Sequence, residues 1–226
     1  MTFQLLNIVM EIAVFLFAIS VHESAHAWMA NRCGDPTARM LGRVTLNPIK
    51  HIDPLGTVLL PLLAIISHLP VIGWAKPTPV DPRNFKHPVR DDILTSVAGP
   101  VSNFIVAAGA VLLMLAIGFV STDGRLVVRA ISDGYIVDTG SVLMPLTLLL
   151  YNLMVINVLL GVFNLIPLPP LDGSHVLRHL LPDDMRRAYD MAGTFGFILL
   201  FLLGGRVIAA VTNPIIGVFR SILQSV

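Results

Sequence analysis

Five consecutive residues, His22-Glu23-Ser24-Ala25-His26, carry two imidazoles and a carboxylate at a spacing suited to metal-assisted hydrolysis. On a helix, at about 100° per residue, His22 and His26 stand one turn apart and about 40° round the axis, so both rings can address one cation. Neutral imidazole suits Zn²⁺, and Glu23 is placed where a general base could take a proton from an activated water. In a soluble chain the bare pattern would stand level with coincidence. Here it closes residues 3–21, in which Glu11 is the single charge. Ionisable groups at membrane depth are costly and usually functional, which favours a metal site over chance.

A catalytic zinc takes three protein ligands and keeps one position open. The other histidines are His51, His68, His87, His175 and His179, and the acids near membrane ends include Glu11 and Asp172. Asp172 stands out because it follows Pro167-Leu168-Pro169-Pro170-Leu171 at the end of an uncharged stretch. Prolines free backbone groups that survive at membrane depth only beside a polar cavity. The competing reading of Asp172 is a helix N-cap for the residues that follow. Glu11 either lines a water path to the metal, pairs with Arg206, or is a polar residue among outer headgroups, the reading preferred here. His51 and Asp53 could form a second polar site, but the preferred reading is solvated loop residues. His175 lies one turn after Asp172 and reads as a surface residue ahead of a contact behind the metal.

The elements that must hold these residues are set by composition. Hydrophobic residues make up 55% of the 226 and charged ones 13%, and mean hydropathy is +0.80, so the solvent of this chain is lipid. A net charge of +1 with no dense basic run gives no reason to expect a nucleic-acid partner, and the lone Cys33 excludes an internal disulfide. The first helix lacks a basic start, and cleavage after it would remove the pentad, so it is not a signal peptide. Uncharged stretches cover residues 54–75, 93–120, 139–171 and 191–205. The expected fold is an all-α polytopic membrane bundle of about four to six hydrophobic segments, forming one domain over residues 1–226. Its core would occupy 3–180, with a C-terminal membrane helix or helices at 191–222.

Basic residues orient these segments. Arg32, Arg39, Arg43 and Lys50 follow the first, and Lys76, Arg83, Lys86 and Arg90 follow 54–75. The positive-inside rule puts both groups in the cytoplasm, so 54–75 is expected to re-enter rather than span. The Pro-interrupted residues 73–80 suit an edge strand, and a β-hairpin is expected near 71–82. Crossings then run 3–30 inward, 93–120 outward, 139–168 inward and 191–222 outward. On this topology His26 and Asp172 both end inward crossings, at the cytoplasmic side, where they can meet.

The pentad, the run Asn164-Leu165-Ile166-Pro167-Leu168-Pro169-Pro170-Leu171-Asp172-Gly173, and Gly99-Pro100-Val101-Ser102-Asn103 between them occur in an order that resembles the site-2 protease family of intramembrane zinc metalloproteases. The resemblance implies one Zn²⁺ per chain on His22, His26 and Asp172, with Glu23 activating water. It implies that Asn164 orients the substrate or stabilises the oxyanion, and that transmembrane proteins are the substrates. Asn103 stands level between a polar contact to the site and interhelical packing, while Gly99 and Ser102 read as packing residues. Residues 73–80 resemble the family's strand-forming segment. A prokaryotic cell membrane, with the site towards the cytoplasm, is the expected location. Residues 121–138 are too few for a PDZ domain, so the chain resembles a minimal member. Two rivals remain: a metal transporter, which needs neither Glu23 nor the asparagine-proline signature, and an idle scaffold, which would be free to lose a ligand.

Overall fold

The computed structural model describes residues 3–59, 74–136, 141–203 and 205–226. Eight α-helices lie among them: α1 (Phe3–Cys33), α2 (Thr37–Met40), α3 (Pro88–Val120), α4 (Thr122–Ser132), α5 (Leu143–Leu165), α6 (Asp172–Leu180), α7 (Asp183–Leu203) and α8 (Gly205–Gln224). Two 3₁₀ turns, Pro48–Lys50 and Pro82–Asn84, and one π-helical turn, Pro54–Leu59, complete the set. The all-α membrane class expected from sequence is what the chain adopts. Among the described residues three stretches are long and apolar enough to cross a membrane: Leu5–Cys33, Pro88–Val120 and Leu143–Leu165. The expected last crossing, 191–222, is divided between α7 and α8, and within α8 the apolar part is the shorter Ile208–Gln224.

The chain divides into two compact units, Met1–Ala18 with Pro100–Val226, and Ile19–Gly99. The first unit has the apolar core. Ala107, Val111 and Met114 of α3 pack with Met154 and Val158 of α5 and Leu223 of α8. A second cluster joins Val127 and Ile131 of α4 to Met144 and Leu148 of α5. Helix α4 is amphipathic by sequence: Val127, Val128 and Ile131 fall on one face and are buried, whereas Asp123, Arg125 and Arg129 lie off it. Its first turn is capped by Ser121, whose Oγ accepts from the Gly124 N–H at 2.9 Å. Inside this apolar core Asn103 Nδ2 donates to Asn157 Oδ1 at 2.8 Å, with both side chains fully buried. In lipid such a bond contributes on the order of 1 kcal/mol and fixes helix register.

The second unit is held differently. Its apolar cluster is small, Ala30, Cys33 and Phe85 with Met29 and Val80 beside them. Buried polar groups tie the rest. The Asp35 carboxylate accepts from the Thr37 hydroxyl and N–H, from Asp81 N–H at 2.8 Å and from Asn84 Nδ2 at 2.9 Å. Burial alone would raise its pKa; these four donors hold it below the ordinary carboxylate value. The buried Arg43 guanidinium donates to the carbonyls of Lys50, Lys76 and Pro77.

Arg43 and the backbone bonds Trp74 N–H to Gly56 O, 3.2 Å, and Lys76 N–H to His51 O, 2.9 Å, lash residues 74–77 to 50–56. No strand forms among the described residues. The hairpin expected near 71–82 falls partly on 71–73, outside the described residues, and the backbone partners of 74–76 are His51 and, in the π-helical turn, Gly56. Pro77 and Pro79 lack the N–H groups a ladder needs. The re-entrant stretch expected at 54–75 lies mostly at 60–73, also outside the described residues.

His51 departs from its expected place as a solvated loop residue. It is completely buried, and its Nε2 donates to Thr45 O at 2.8 Å. Asp53 is only partly buried and caps the turn that follows it, accepting from the N–H groups of Leu55 and Gly56. In the first unit Glu11 accepts from Asn7 Nδ2 at 2.7 Å, and Asn7 in turn accepts from Asn152 of α5 at 2.9 Å.

Candidate metal centre

The first two expected ligands come from α1, one turn apart, in the second unit. His22 and His26 are 7% and 8% exposed. Their Nε2 atoms stand 3.0 Å apart, with rings nearly perpendicular at 82°. His26 Nδ1 lies 2.7 Å from the Thr95 carbonyl of α3. A carbonyl only accepts, so the proton sits on Nδ1 and the Nε2 lone pair is left to face its neighbour. This is the arrangement of a metal-ligating histidine whose second nitrogen is steadied by a backbone acceptor. Two imidazole nitrogens on one tetrahedral zinc lie roughly 3.3 Å apart, given bonds of about 2.0 to 2.1 Å. A separation of 3.0 Å therefore fits a cation that replaces the shared proton.

Space for the pair is made by Gly99. A Cβ on it would stand 2.4 Å from His26 Nε2 and 2.7 Å from His22 Nε2. Sequence reading assigned Gly99 to interhelical packing. It does pack, but against the two imidazoles, at the nitrogens that would hold metal.

Glu23, half-buried between the two histidines in sequence, is engaged by Thr78. The Thr78 N–H donates to Glu23 Oε2 at 2.8 Å, and the hydroxyl lies 2.8 Å from the same oxygen and 2.9 Å from the Glu23 carbonyl. Arg43 faces this acid electrostatically: burial lowers the guanidinium pKa and the Glu23 charge opposes that fall.

The remaining candidates belong to the first unit. Asp172 is the first residue of α6; the cap position is Leu171, which supplies no side-chain cap bond. Gly173 lets the start of α6 press on the end of α5, since a Cβ there would lie 2.3 Å from Leu165 O. The loop before Asp172 is backed by α7, where Tyr189 Oη donates to Pro167 O at 2.9 Å. Asn164 is half-buried, and its Nδ2 donates to Leu160 O of its own helix at 3.0 Å. One of its two amide protons is spent there. Asn103 Nδ2 donates to Asn157 Oδ1 at 2.8 Å and also lies 3.4 Å from Ala18 O of α1.

Three contributors escaped sequence reading. Thr95 acts through a backbone carbonyl and leaves no side-chain signal. Thr78 was visible only as the residue between two prolines. Asn157 could have been found, since an amide in the uncharged stretch 139–171 needs a buried partner.

The model of peptidase family M50 matches residues 10–203. The "Putative zinc metalloprotease YwhC" of Bacillus subtilis (strain 168) is 38% identical over 85% of this chain and 78% of its own length. Two relatives bearing the same kind of name, Rip2, come from Mycolicibacterium smegmatis and Mycobacterium tuberculosis (strain H37Rv). They are 29% and 30% identical over 86% of this chain, and in each case the match spans 66% of the relative's length. No solved structure matches.

Proposed function

The chain belongs to peptidase family M50, and from that premise we propose that it is an intramembrane zinc metalloprotease acting on transmembrane proteins. The observation that carries the proposal is the buried His22–His26 pair, its Nε2 atoms 3.0 Å apart over the hollow left by Gly99, with Glu23 beside it. His22 and His26 would hold the zinc and Asp172 would be its third ligand, as the family motif has it, with residues 1–226 acting as one membrane-protease domain.

When bound, zinc would polarise the scissile carbonyl and acidify the attacking water. Glu23 takes the proton of that water as it adds to the carbonyl carbon, and returns a proton to the amide nitrogen as the C–N bond breaks. Asn164, with its second amide proton, donates to the carbonyl oxygen as charge gathers there. The substrate helix must unwind locally, because helical amides are shielded and already bonded. The long apolar helices suit an integral membrane protein. The proposed setting is a prokaryotic cell membrane with the site towards the cytoplasm, and the role is release of a membrane protein's soluble part.

Glu23→Gln tests this reading. The variant keeps the imidazole pair and should retain zinc in purified protein while cleavage is lost. Comparison of membrane proteomes from cells carrying wild type or variant should show single-pass proteins accumulating uncut with the variant. Identical proteomes, or unimpaired turnover of any cleaved protein, would sink it.

A further inference from the structure

We propose that Thr78 is a positioning residue for the general base: the strap 74–81 exists to bring one backbone N–H and one hydroxyl to Glu23. The proposal rests on the reading of Glu23 as base.

A glutamate has three side-chain torsions, and a half-buried one with no fixed partner samples several rotamers. Thr78 removes that freedom. Its N–H and its hydroxyl both reach Oε2 at 2.8 Å, and the hydroxyl is also 2.9 Å from the Glu23 carbonyl. One hydroxyl proton serves one acceptor at a time, so the N–H is the constant donor and the hydroxyl divides its time. With both donors on Oε2, Oε1 is the oxygen left to exchange protons.

The strap is built to make this donor rigid. In Pro77-Thr78-Pro79 only Thr78 has an N–H, and that N–H is given to Glu23. The prolines fix their own φ, and each restricts the residue before it, so Lys76 and Thr78 are both confined. On one side Arg43 grips the carbonyls of Lys76 and Pro77, and Lys76 N–H binds His51 O at 2.9 Å. On the other, Asp81 N–H is anchored on Asp35 Oδ2 at 2.8 Å. A threonine held at both ends by buried charged groups is more ordered than a chance loop contact requires.

The test needs no natural substrate. A peptidyl hydroxamate chelates an active-site zinc and passes its proton to the neighbouring carboxylate, so its affinity reports how that carboxylate is placed. Zinc content, thermal midpoint and affinity for a leucyl-leucine hydroxamate are measured on detergent-purified wild type, T78V, T78S, E23Q and the E23Q/T78V double variant. We expect T78V to keep zinc and midpoint but bind the hydroxamate roughly tenfold more weakly, the size of a lost bond to a charged acceptor. T78S, which restores the hydroxyl, should return to within about twofold, and T78V should cost nothing further in the E23Q background, because a residue acting through Glu23 has nothing left to act on.

Affinity unchanged in T78V, or an equal loss in the E23Q background, overturns the proposal. Should T78V lose zinc, Thr78→Ala replaces it in the same cycle. If E23Q itself binds as wild type does, the base assignment fails; if E23Q is impaired and T78V is not, only the role of Thr78 fails.

Discussion

Gly99 shows how little room the imidazole pair leaves for change. Adding one methyl group would place it 2.4 Å from His26 Nε2 and 2.6 Å from His22 Cε1. Neither ring can yield easily: both are buried, and His26 is pinned by the Thr95 carbonyl. A Gly99→Ala variant should therefore hold zinc 10- to 100-fold more weakly, the range seen when support around metal ligands is lost. Gly109, ten residues on in the same helix, has nothing within 4 Å of a built Cβ, so Gly109→Ala is the matched control for helix propensity. Zinc occupancy of both proteins under chelator competition gives the answer, and equal retention would show that Gly99 is ordinary packing. The imidazole pair itself was legible in sequence because its geometry is local, an i, i+4 pair on one helix. The glycine opposite was legible only as a small residue, because its partners lie on another helix.

At the scale of elements, the segment from Asp35 to His51 is largely exposed but buries three polar side chains, Asp35, Arg43 and His51, of which His51 was expected to be solvated. His51 carries the clearest consequence. Burial pushes its pKa below the ordinary 6.5, Arg43 adds to that, and the bonds and charge of Thr45 and Glu23 offset part of it. The folded form thus binds a proton less readily than the unfolded form. Stability conferred by this loop should be level above about pH 6.5 and fall as pH drops below that value, down to the folded pKa. Asp35 acts in a separate, lower window. Its pKa is depressed from 3.8, so its stabilisation is present above that value and is lost as pH falls through the folded one.

Thermal midpoints of the detergent-purified protein between pH 7 and 5 should decline, and His51→Gln, which keeps a donor for Thr45, should flatten that decline. An unchanged slope would mean that His51 is not the titrating group. Sequence reading missed this burial for a physical reason. It is created by the Lys76–His51 and Arg43–Lys76 bonds, which join segments far apart in the chain, and no local pattern marks them. The three long helices were legible because lipid demands continuous apolar sequence of a set length.

For the molecule as a whole, the issue is which side of the membrane each segment faces. By the positive-inside rule, lysine and arginine placement predicts one compartment for residues 31–53 and 76–92, with the uncharged stretch 54–75 between them. A second, independent line comes from hydrogen bonding. Trp74 N–H bonds Gly56 O, Thr57 Oγ1 bonds Trp74 O at 2.7 Å, and Lys76 N–H bonds His51 O. The residues entering and leaving the stretch are thus within bonding distance of each other, whereas the two ends of a full crossing are separated by roughly 30 Å of hydrocarbon. Reporters fused after residues 46 and 71 should both give a cytoplasmic signal, and one fused after 130 an external signal. The fusion at 71 decides the matter: an external signal there would make 54–75 a full crossing and put Asp172 on the side opposite the histidines. A cytoplasmic signal leaves the ends of the crossings that carry His22, His26 and Asp172 in one compartment, as the proposed ligand set requires.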